Sequence, residues 1–314
     1  MINADKPFLW KEDIDKSVDE FNQWFIEFAP RTYRETRKEA TDRVIKAVKL
    51  SDDFKDISVE ILMDHPEILE ILRMSTSPPI ARDRLVGLSH AKRNLVTTME
   101  KGVIPPKMTE IDLKHDLGNI CRIINDLLDV DIFPWLKNNR KPDDQDRNRA
   151  STIVADRLCG SLSNPIIRNA QERRQLEKIK SYLLDKDYRF EEHLSGMPLE
   201  EIPKKSFGFR VNMKAGKKNT NIPVDVVIQT DNPSGNDLPV LIEAKSAGDF
   251  TNVNKRRKEE ATKYHQLQST FGPDIKMILF LCGYFDAGYL GYEAAEGLDW
   301  VWEHRIEDLE KLGV

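Results

Sequence analysis

Cysteines and long apolar runs are both scarce in this chain, and each scarcity excludes a class of protein. Only three of the 314 residues are cysteine, and Cys121, Cys159 and Cys282 form no CxxC pair. Isolated cysteines with apolar neighbours are typical of reduced core residues, which predicts a cytoplasmic protein without a thiolate metal site. The longest apolar run, MILFLC, is too short to span a bilayer, and the first residues lack the pattern of a signal peptide. We therefore expect no membrane partner.

Common cofactor motifs are also missing. The chain contains neither a GxxxxGK nor a GxGxxG loop, so we expect no nucleotide cofactor. Its six histidines show no HExxH spacing, which excludes that zinc-hydrolase pattern. A net charge of −5 gives no sign of a nucleic-acid partner, so the local distribution of charge has to decide that question.

The first part of the chain has the periodicity of helices. Leu113, Leu117, Ile120 and Ile124 recur at helical spacing after a capping residue at Thr109. A polar stretch over 137–150, KNNRKPDDQDRNRA, is typical of a linker or an exposed loop. We therefore predict a helical region over 1–145 and a second domain over 146–314.

The second part alternates between helix and strand patterns. The pair Asn164-Pro165 predicts a helix start, and SFGFRVNMKAGKKN, which follows that helix, predicts a β-hairpin. Three apolar segments then predict strands: IPVDVVIQ, LPVLIEAK and IKMILFLC, with a helix over about 254–271 between the second and the third. This order predicts an α/β (α+β) fold, with a central mixed sheet flanked by helices.

The segment LPVLIEAK carries the clearest chemical signal. Because side chains alternate along a strand, Glu243 and Lys245 share one face at the end of a buried segment. Asp225 interrupts the β-branched run of the preceding strand, 18 positions before Glu243, and a hairpin would place the two acids side by side. Two close carboxylates suit a hard cation such as Mg²⁺. The alternative is a plain ion pair at a strand end, since an ExK triplet alone is a weak signal.

Two further acids are candidates for the same site. Asp231 lies in the turn between the two strands, where acids are common, so we rank it below Asp225. Glu172 lies four residues before Leu176, on the apolar stripe of the predicted helix. Glu172 could bind the metal or its water, or it could instead cap the stripe near the positive end of the helix dipole.

Basic residues cluster on both sides of these acids. One cluster contains no acid over 204–218, and its members are Lys204, Lys205, Arg210, Lys214, Lys217 and Lys218. A second run begins the helix after LPVLIEAK and comprises Asn254, Lys255, Arg256 and Arg257, of which Arg257 could clamp a phosphate. A third group contains Arg82 and Arg84. A basic rim beside an acidic cluster favours a polyanion such as DNA, although solvated charged faces are the common alternative.

The pairing of IPVDVVI with LIEAK resembles the PD-(D/E)XK nuclease superfamily. The longer run from LIEAKSAGDF to WVWEHRIEDL, together with SNPIIRNAQERRQLEKIKSYL and SPPIARDRLVGL, is similar to the XamI-type restriction endonucleases. The resemblance implies catalytic positions for Asp225, Glu243 and Lys245, a metal-binding carbonyl at Ala244, and a match of Glu172 to an acid that some members carry on the first helix. This sequence departs from the motif at one point, because Val224 separates the proline from Asp225. The chemistry does not require the proline.

The resemblance implies a type II restriction endonuclease that uses Mg²⁺, with Mn²⁺ expected to substitute, and leaves 5′-phosphate ends. Its substrate would be double-stranded DNA at a short palindromic site, which a homodimer matches by symmetry. Residues 146–314 would form the PD-(D/E)XK catalytic domain, and residues 1–145 would serve DNA binding or dimerisation. One alternative is a nuclease of the same superfamily in repair or defence without strict sequence specificity. Another is a non-catalytic DNA-binding protein whose acids and Lys245 form a buried ion-pair network.

Overall fold

The computed structural model describes residues 1–215, 220–231, 238–250 and 257–314, without the side chains of Glu200 and Arg257. The chain divides into two compact units. One unit combines Met1–Phe28 with Arg168–Val314, and the other is Ala29–Ile167. Two long helices, α1 (Pro7–Leu50) and α8 (Asp144–Asp185), contribute residues to both units. The sequence predicts DNA binding or dimerisation for residues 1–145 and catalysis for residues 146–314, and this assignment stays a prediction.

The unit Ala29–Ile167 is helical, as its periodicity predicts. Helix α6 (Glu110–Leu127) buries Leu113, Leu117 and Ile120, and the Thr109 hydroxyl accepts a hydrogen bond from the Asp112 amide at its start. Removal of this apolar stripe from water is the main favourable contribution to the helix. The other helices that lie wholly within the unit are α2 (Val59–Asp64), α3 (Leu69–Met74), α4 (Arg82–Ser89), α5 (Arg93–Met99) and α7 (Pro134–Asn138), with a 3₁₀ turn at Pro66–Ile68.

Helix α8 corrects two sequence predictions. The helix predicted to start at Asn164-Pro165 begins at Asp144, and the second half of the predicted linker is therefore helical. Ala150, Val154 and Leu158 are buried at helical spacing upstream of the proline. Burial of this apolar face outweighs the backbone hydrogen bond lost at Pro165, an interior-proline cost of about 3 kcal/mol.

The unit that contains both chain ends is built on one mixed sheet. Its described strands lie in the order β1 to β6, with β1–β2, β4–β5 and β5–β6 parallel and the other two pairs antiparallel. The strand bounds are β1 (Arg189–Phe190), β2 (Ser206–Ala215), β3 (Thr220–Gln229), β4 (Val240–Ala247), β5 (Lys276–Gly283) and β6 (Asp299–Trp302). The other helical segments are α9 (Arg257–Phe271), α10 (Ala287–Ala295) and 3₁₀ helices at Leu199–Glu201 and Glu303–Leu312. The predicted fold class, an α/β (α+β) fold with a helical amino-terminal region and a mixed sheet, is confirmed.

Each face of the sheet carries its own apolar cluster. On β4, Val240 and Ile242 join the cluster that contains Ile179 of α8, whereas Leu241 joins the cluster that contains Leu267 of α9. Glu243 and Lys245 continue the odd-numbered series of Leu241, so alternation directs them toward the α9 face. No helix in the described part of the chain has the length and apolarity needed to cross a membrane.

Candidate active site

Asp225 lies where two neighbouring strands reverse their buried faces. In β3, Val224 belongs to the cluster on the α9 face, but Val226 belongs to the cluster on the α8 face. Residues two apart normally share a face, so β3 changes its exposed side at Asp225. The paired strand β2 shows the same reversal around Arg210, whose φ of +51° lies in the left-handed region. A non-glycine residue at positive φ within a strand indicates local backbone strain, and such strain clusters at functional sites.

The β3–β4 hairpin brings Asp225 next to Glu243. The strands pair with Val226 opposite Ile242, and continuing this antiparallel register places Asp225 opposite Glu243. One carboxylate oxygen of Asp225 accepts a hydrogen bond from the Ala244 amide at 2.9 Å. The backbone of β4 therefore fixes the orientation of the Asp225 side chain beside the first acid of the ExK triplet.

Glu243 and Lys245 form the centre of a chain of ion pairs. The Lys245 ammonium lies 3.0 Å from Glu243 Oε1 and 3.0 Å from Glu260 Oε1 of α9. The ammonium of Lys263, also on α9, donates to Glu243 Oε2. Positive and negative side chains alternate in this series of ion pairs, which offsets much of the cost of burying each group.

Burial and neighbouring charge shift the pKa values of two members of the site. Burial, followed by the charge of Glu243, raises the pKa of the Asp225 carboxyl to about 6. Burial opposes the charge of the Lys245 ammonium, but the carboxylates of Glu243 and Glu260 outweigh it and raise the pKa of Lys245 to about 12. Lys245 is therefore a fixed positive charge at neutral pH, which suits electrostatic stabilisation better than proton abstraction.

The donor set at the hairpin is compatible with a hard divalent cation. Asp225 and Glu243 supply carboxylate oxygens, which magnesium prefers, and their mutual repulsion is relieved by a cation placed between them. Among the described residues, no group of three or more His, Cys, Asp or Glu side chains could hold a metal. The metal site predicted from the sequence contains only two such side chains, Asp225 and Glu243, and takes its third oxygen from the Ala244 carbonyl.

Glu172 makes a different contact from the one that its predicted metal role requires. Its carboxylate accepts an ion-paired hydrogen bond from Arg210 at 2.8 Å, and 39% of its side chain is exposed. The β2–β3 register pairs Phe209 with Val226 and Val211 with Val224, so the backbone of Arg210 lies across from that of Asp225. A direct role of Glu172 at the metal stays a prediction.

The predicted DNA-binding residues differ in how well the structure places them. Arg210, Lys204 and Lys214 are exposed and Lys205 is half-buried, on or just before β2. Arg82 and Arg84 are exposed on α4, where Arg82 donates to Glu100 at 2.7 Å. Arg257 begins α9, and its side chain is not described. The remaining predicted residues lie outside the described part of the chain: Lys217, Lys218, Asn254, Lys255 and Arg256. DNA contact by any of these residues stays a prediction.

Sequence reasoning missed Glu260 and Lys263. The available signal was the spacing of Glu260, Tyr264, Leu267 and Phe271, which places an acid at the start of the apolar stripe of α9. Only 2% of Glu260 is exposed, and a buried charge needs a partner of opposite sign. The pattern alone did not identify Lys245 as that partner.

Glu293 of α10 adds a buried acid behind this group. Burial, then the charge of Glu260, raises the pKa of the Glu293 carboxyl to about 8, and Tyr289, Glu296 and Lys245 also act on it. The folded protein thus holds this proton more tightly than the unfolded chain. Stability should fall as pH rises from about 4.3, the ordinary glutamate pKa, and should level off above a pH of about 8.

Replacing Glu293 by glutamine should flatten this pH dependence. We expect the thermal midpoint of Glu293→Gln to exceed that of wild type at pH 8.5 by roughly 2–4 °C for each kcal/mol of repulsion removed. At pH 5 the two midpoints should agree within about 2 °C, since Glu293 is then protonated. Thermal unfolding followed by circular dichroism across this range is the measurement, and parallel curves for the two proteins would contradict the assignment.

Comparison with known proteins identifies the family of this chain. The model of the XamI restriction endonuclease family matches residues 52–302. The type II restriction enzyme SalI from Streptomyces albus G is 54% identical over 314 residues, which is 100% of both chains. The chain therefore belongs to the XamI restriction endonuclease family, which confirms the resemblance seen in its sequence and the predicted site-specific endonuclease activity.

Proposed function

We propose that this restriction endonuclease hydrolyses double-stranded DNA at a short palindromic site with Mg²⁺, leaves 5′-phosphate ends, and acts as a homodimer. The observation that carries the proposal is the meeting of Asp225, Glu243 and Lys245 on adjacent strands. The relative SalI bears the description of a type II restriction enzyme, and its identity extends over the whole chain.

Each of the three central side chains has a role that its environment supports. Asp225 and Glu243 would hold the cation, with the Ala244 carbonyl as a third oxygen. When bound, the cation polarises the scissile phosphate and lowers the pKa of water. Lys245 keeps its positive charge at neutral pH and stabilises the negative charge that develops as water attacks the phosphorus. The Ala244 amide holds the Asp225 carboxylate in one orientation.

The exposed basic residues near the hairpin favour a DNA backbone partner. Arg210 and Lys214 lie on β2, the strand that pairs with the one that carries Asp225. Cations of this kind neutralise phosphates and hold the duplex without reading its sequence. A twofold axis between two copies of the chain would match the symmetry of a palindrome and supply one site for each strand.

Digestion of a long defined DNA tests the proposal. Wild-type protein with Mg²⁺ should produce discrete bands, and the same reaction with excess chelator should leave the DNA intact. Ligation of the fragments without prior kinase treatment should succeed only if the ends carry 5′-phosphates. Sedimentation velocity of the protein should give twice the mass of 36.3 kDa calculated for one chain.

The other outcomes of this digest separate the alternatives. A smear of fragments would favour a nuclease without strict sequence preference. Intact DNA at every Mg²⁺ and Mn²⁺ concentration would favour a non-catalytic DNA-binding protein, in which the ion pairs around Lys245 are purely structural. Cleavage that persists in chelator would refute the role given to the cation.

A further inference from the structure

The Lys245 ammonium is held from two sides, by one strand residue and one helix residue. Glu243 Oε1 of β4 and Glu260 Oε1 of α9 both lie 3.0 Å from its nitrogen. The side chain of Lys245 is 22% exposed, whereas that of Glu260 is only 2% exposed. The ammonium is thus fixed at the boundary between the buried acid of α9 and the more accessible hairpin.

Glu243 by itself offers Lys245 only one free oxygen. Its other oxygen, Oε2, accepts the ammonium of Lys263. A lysine side chain has several rotatable bonds, and one ion pair leaves it free to swing about that contact. The second contact, to Glu260, therefore determines where the Lys245 nitrogen lies along the edge of the site.

Glu260 has no other strong partner among the described residues. Its Oε2 is buried and makes no hydrogen bond within the described part of the chain. The nearby acid Glu293 does not supply a cation, and its raised pKa leaves it largely protonated at neutral pH. An ionised carboxylate in such surroundings is costly unless it faces a cation, so the placement of Glu260 depends on Lys245.

We propose that Glu260 is a positioning residue, whose carboxylate holds the Lys245 ammonium where it can stabilise the reacting phosphate. This inference rests on the proposed function, since it assigns a partner to the lysine of that site. Glu260 acts through Lys245 and does not touch the substrate. Groups that orient a catalytic side chain typically contribute about 10–100-fold to activity.

The test compares Glu260→Gln with Glu259→Gln on the same helix. Glutamine keeps the shape of Glu260 but removes its charge, and Glu259 is an exposed neighbour that serves as the matched control. The substrate is a duplex carrying the site at which wild-type protein cleaves. We expect Glu260→Gln to lower the single-turnover rate about 10–100-fold and Glu259→Gln to change it less than about twofold.

Two binding measurements distinguish positioning from other roles. The DNA affinity of Glu260→Gln, measured by anisotropy without divalent cation, should remain near that of wild type. The Mg²⁺ concentration that gives half the maximal rate should also be unchanged, because Glu260 pairs with lysine and not with the cation. A large shift in this concentration would overturn the proposal by making Glu260 a metal ligand.

A thermodynamic cycle with Lys245→Met supplies a readout that needs no cleavage. In wild type, Glu260→Gln should lower the thermal midpoint, because Lys245 loses a buried partner. In the Lys245→Met background the same change should raise the midpoint, because it removes a buried charge without a partner. Equal shifts in both backgrounds, or an unchanged cleavage rate in Glu260→Gln, would refute the proposal. Failure of wild type to cleave would refute the proposed function instead and leave this cycle interpretable.

Discussion

Replacing Lys245 by alanine is expected to lower the single-turnover cleavage rate about 10²–10³-fold, the loss typical of removing one electrostatic group at a reacting centre. The ammonium is fixed by two carboxylates at 3.0 Å and stays charged at neutral pH, so its loss removes a preorganised positive charge. DNA affinity should change little, because the interaction gains strength mainly as charge develops in the transition state. Rapid-quench cleavage at saturating enzyme and anisotropy on the same duplex measure the two quantities.

Lys276→Ala is the matched control for this experiment. Lys276 is an exposed lysine at the start of β5, the strand that pairs with β4. Its loss removes the same charge from the same sheet, at the end opposite to the ExK triplet, and should leave the rate within about twofold. A Lys245→Ala protein that cuts as fast as wild type would show that the catalytic lysine has been misassigned.

Replacing Arg73 by methionine should destabilise the helical unit by up to about 3–5 kcal/mol, the usual cost of removing one partner of a buried ion pair, because Glu100 would keep only the largely exposed Arg82. Arg73 Nε donates to Glu100 at 2.6 Å, and the two side chains are 5% and 3% exposed. A second nitrogen of Arg73 donates to the Ile80 carbonyl at 2.6 Å, so this backbone group would also lose its hydrogen bond. Urea unfolding monitored by tryptophan fluorescence measures the change.

Arg82→Met provides the comparison on the same carboxylate. Arg82 also donates to Glu100, at 2.7 Å, but its side chain is 44% exposed. Solvent already screens this pair, so its loss should cost about 0–1 kcal/mol. Equal destabilisation by the two variants would show that burial does not determine the strength of these contacts, and the charge network of the unit would have to be reconsidered.

The sheet was predictable because its signals are local. Alternation along LPVLIEAK places Glu243 and Lys245 on one face, and the length of the connection after Asp225 allows a hairpin. The structure has this hairpin and the predicted order of strands and helices. The start of α8 was not predictable in the same way, because tertiary burial of Ala150, Val154 and Leu158 carries the helix through Pro165.

The sequence by itself determined the alternation along β4, which places Glu243 and Lys245 on one face, and it determined the family. Only the tertiary structure decided which helix residues meet them: Glu260 and Lys263 on the α9 face, and the pairing of Glu172 with Arg210. The physical reason is that a strand's period of two depends on the backbone alone. The rotation of a helix against a sheet depends on the packing of many side chains distant in sequence, so no short segment encodes it.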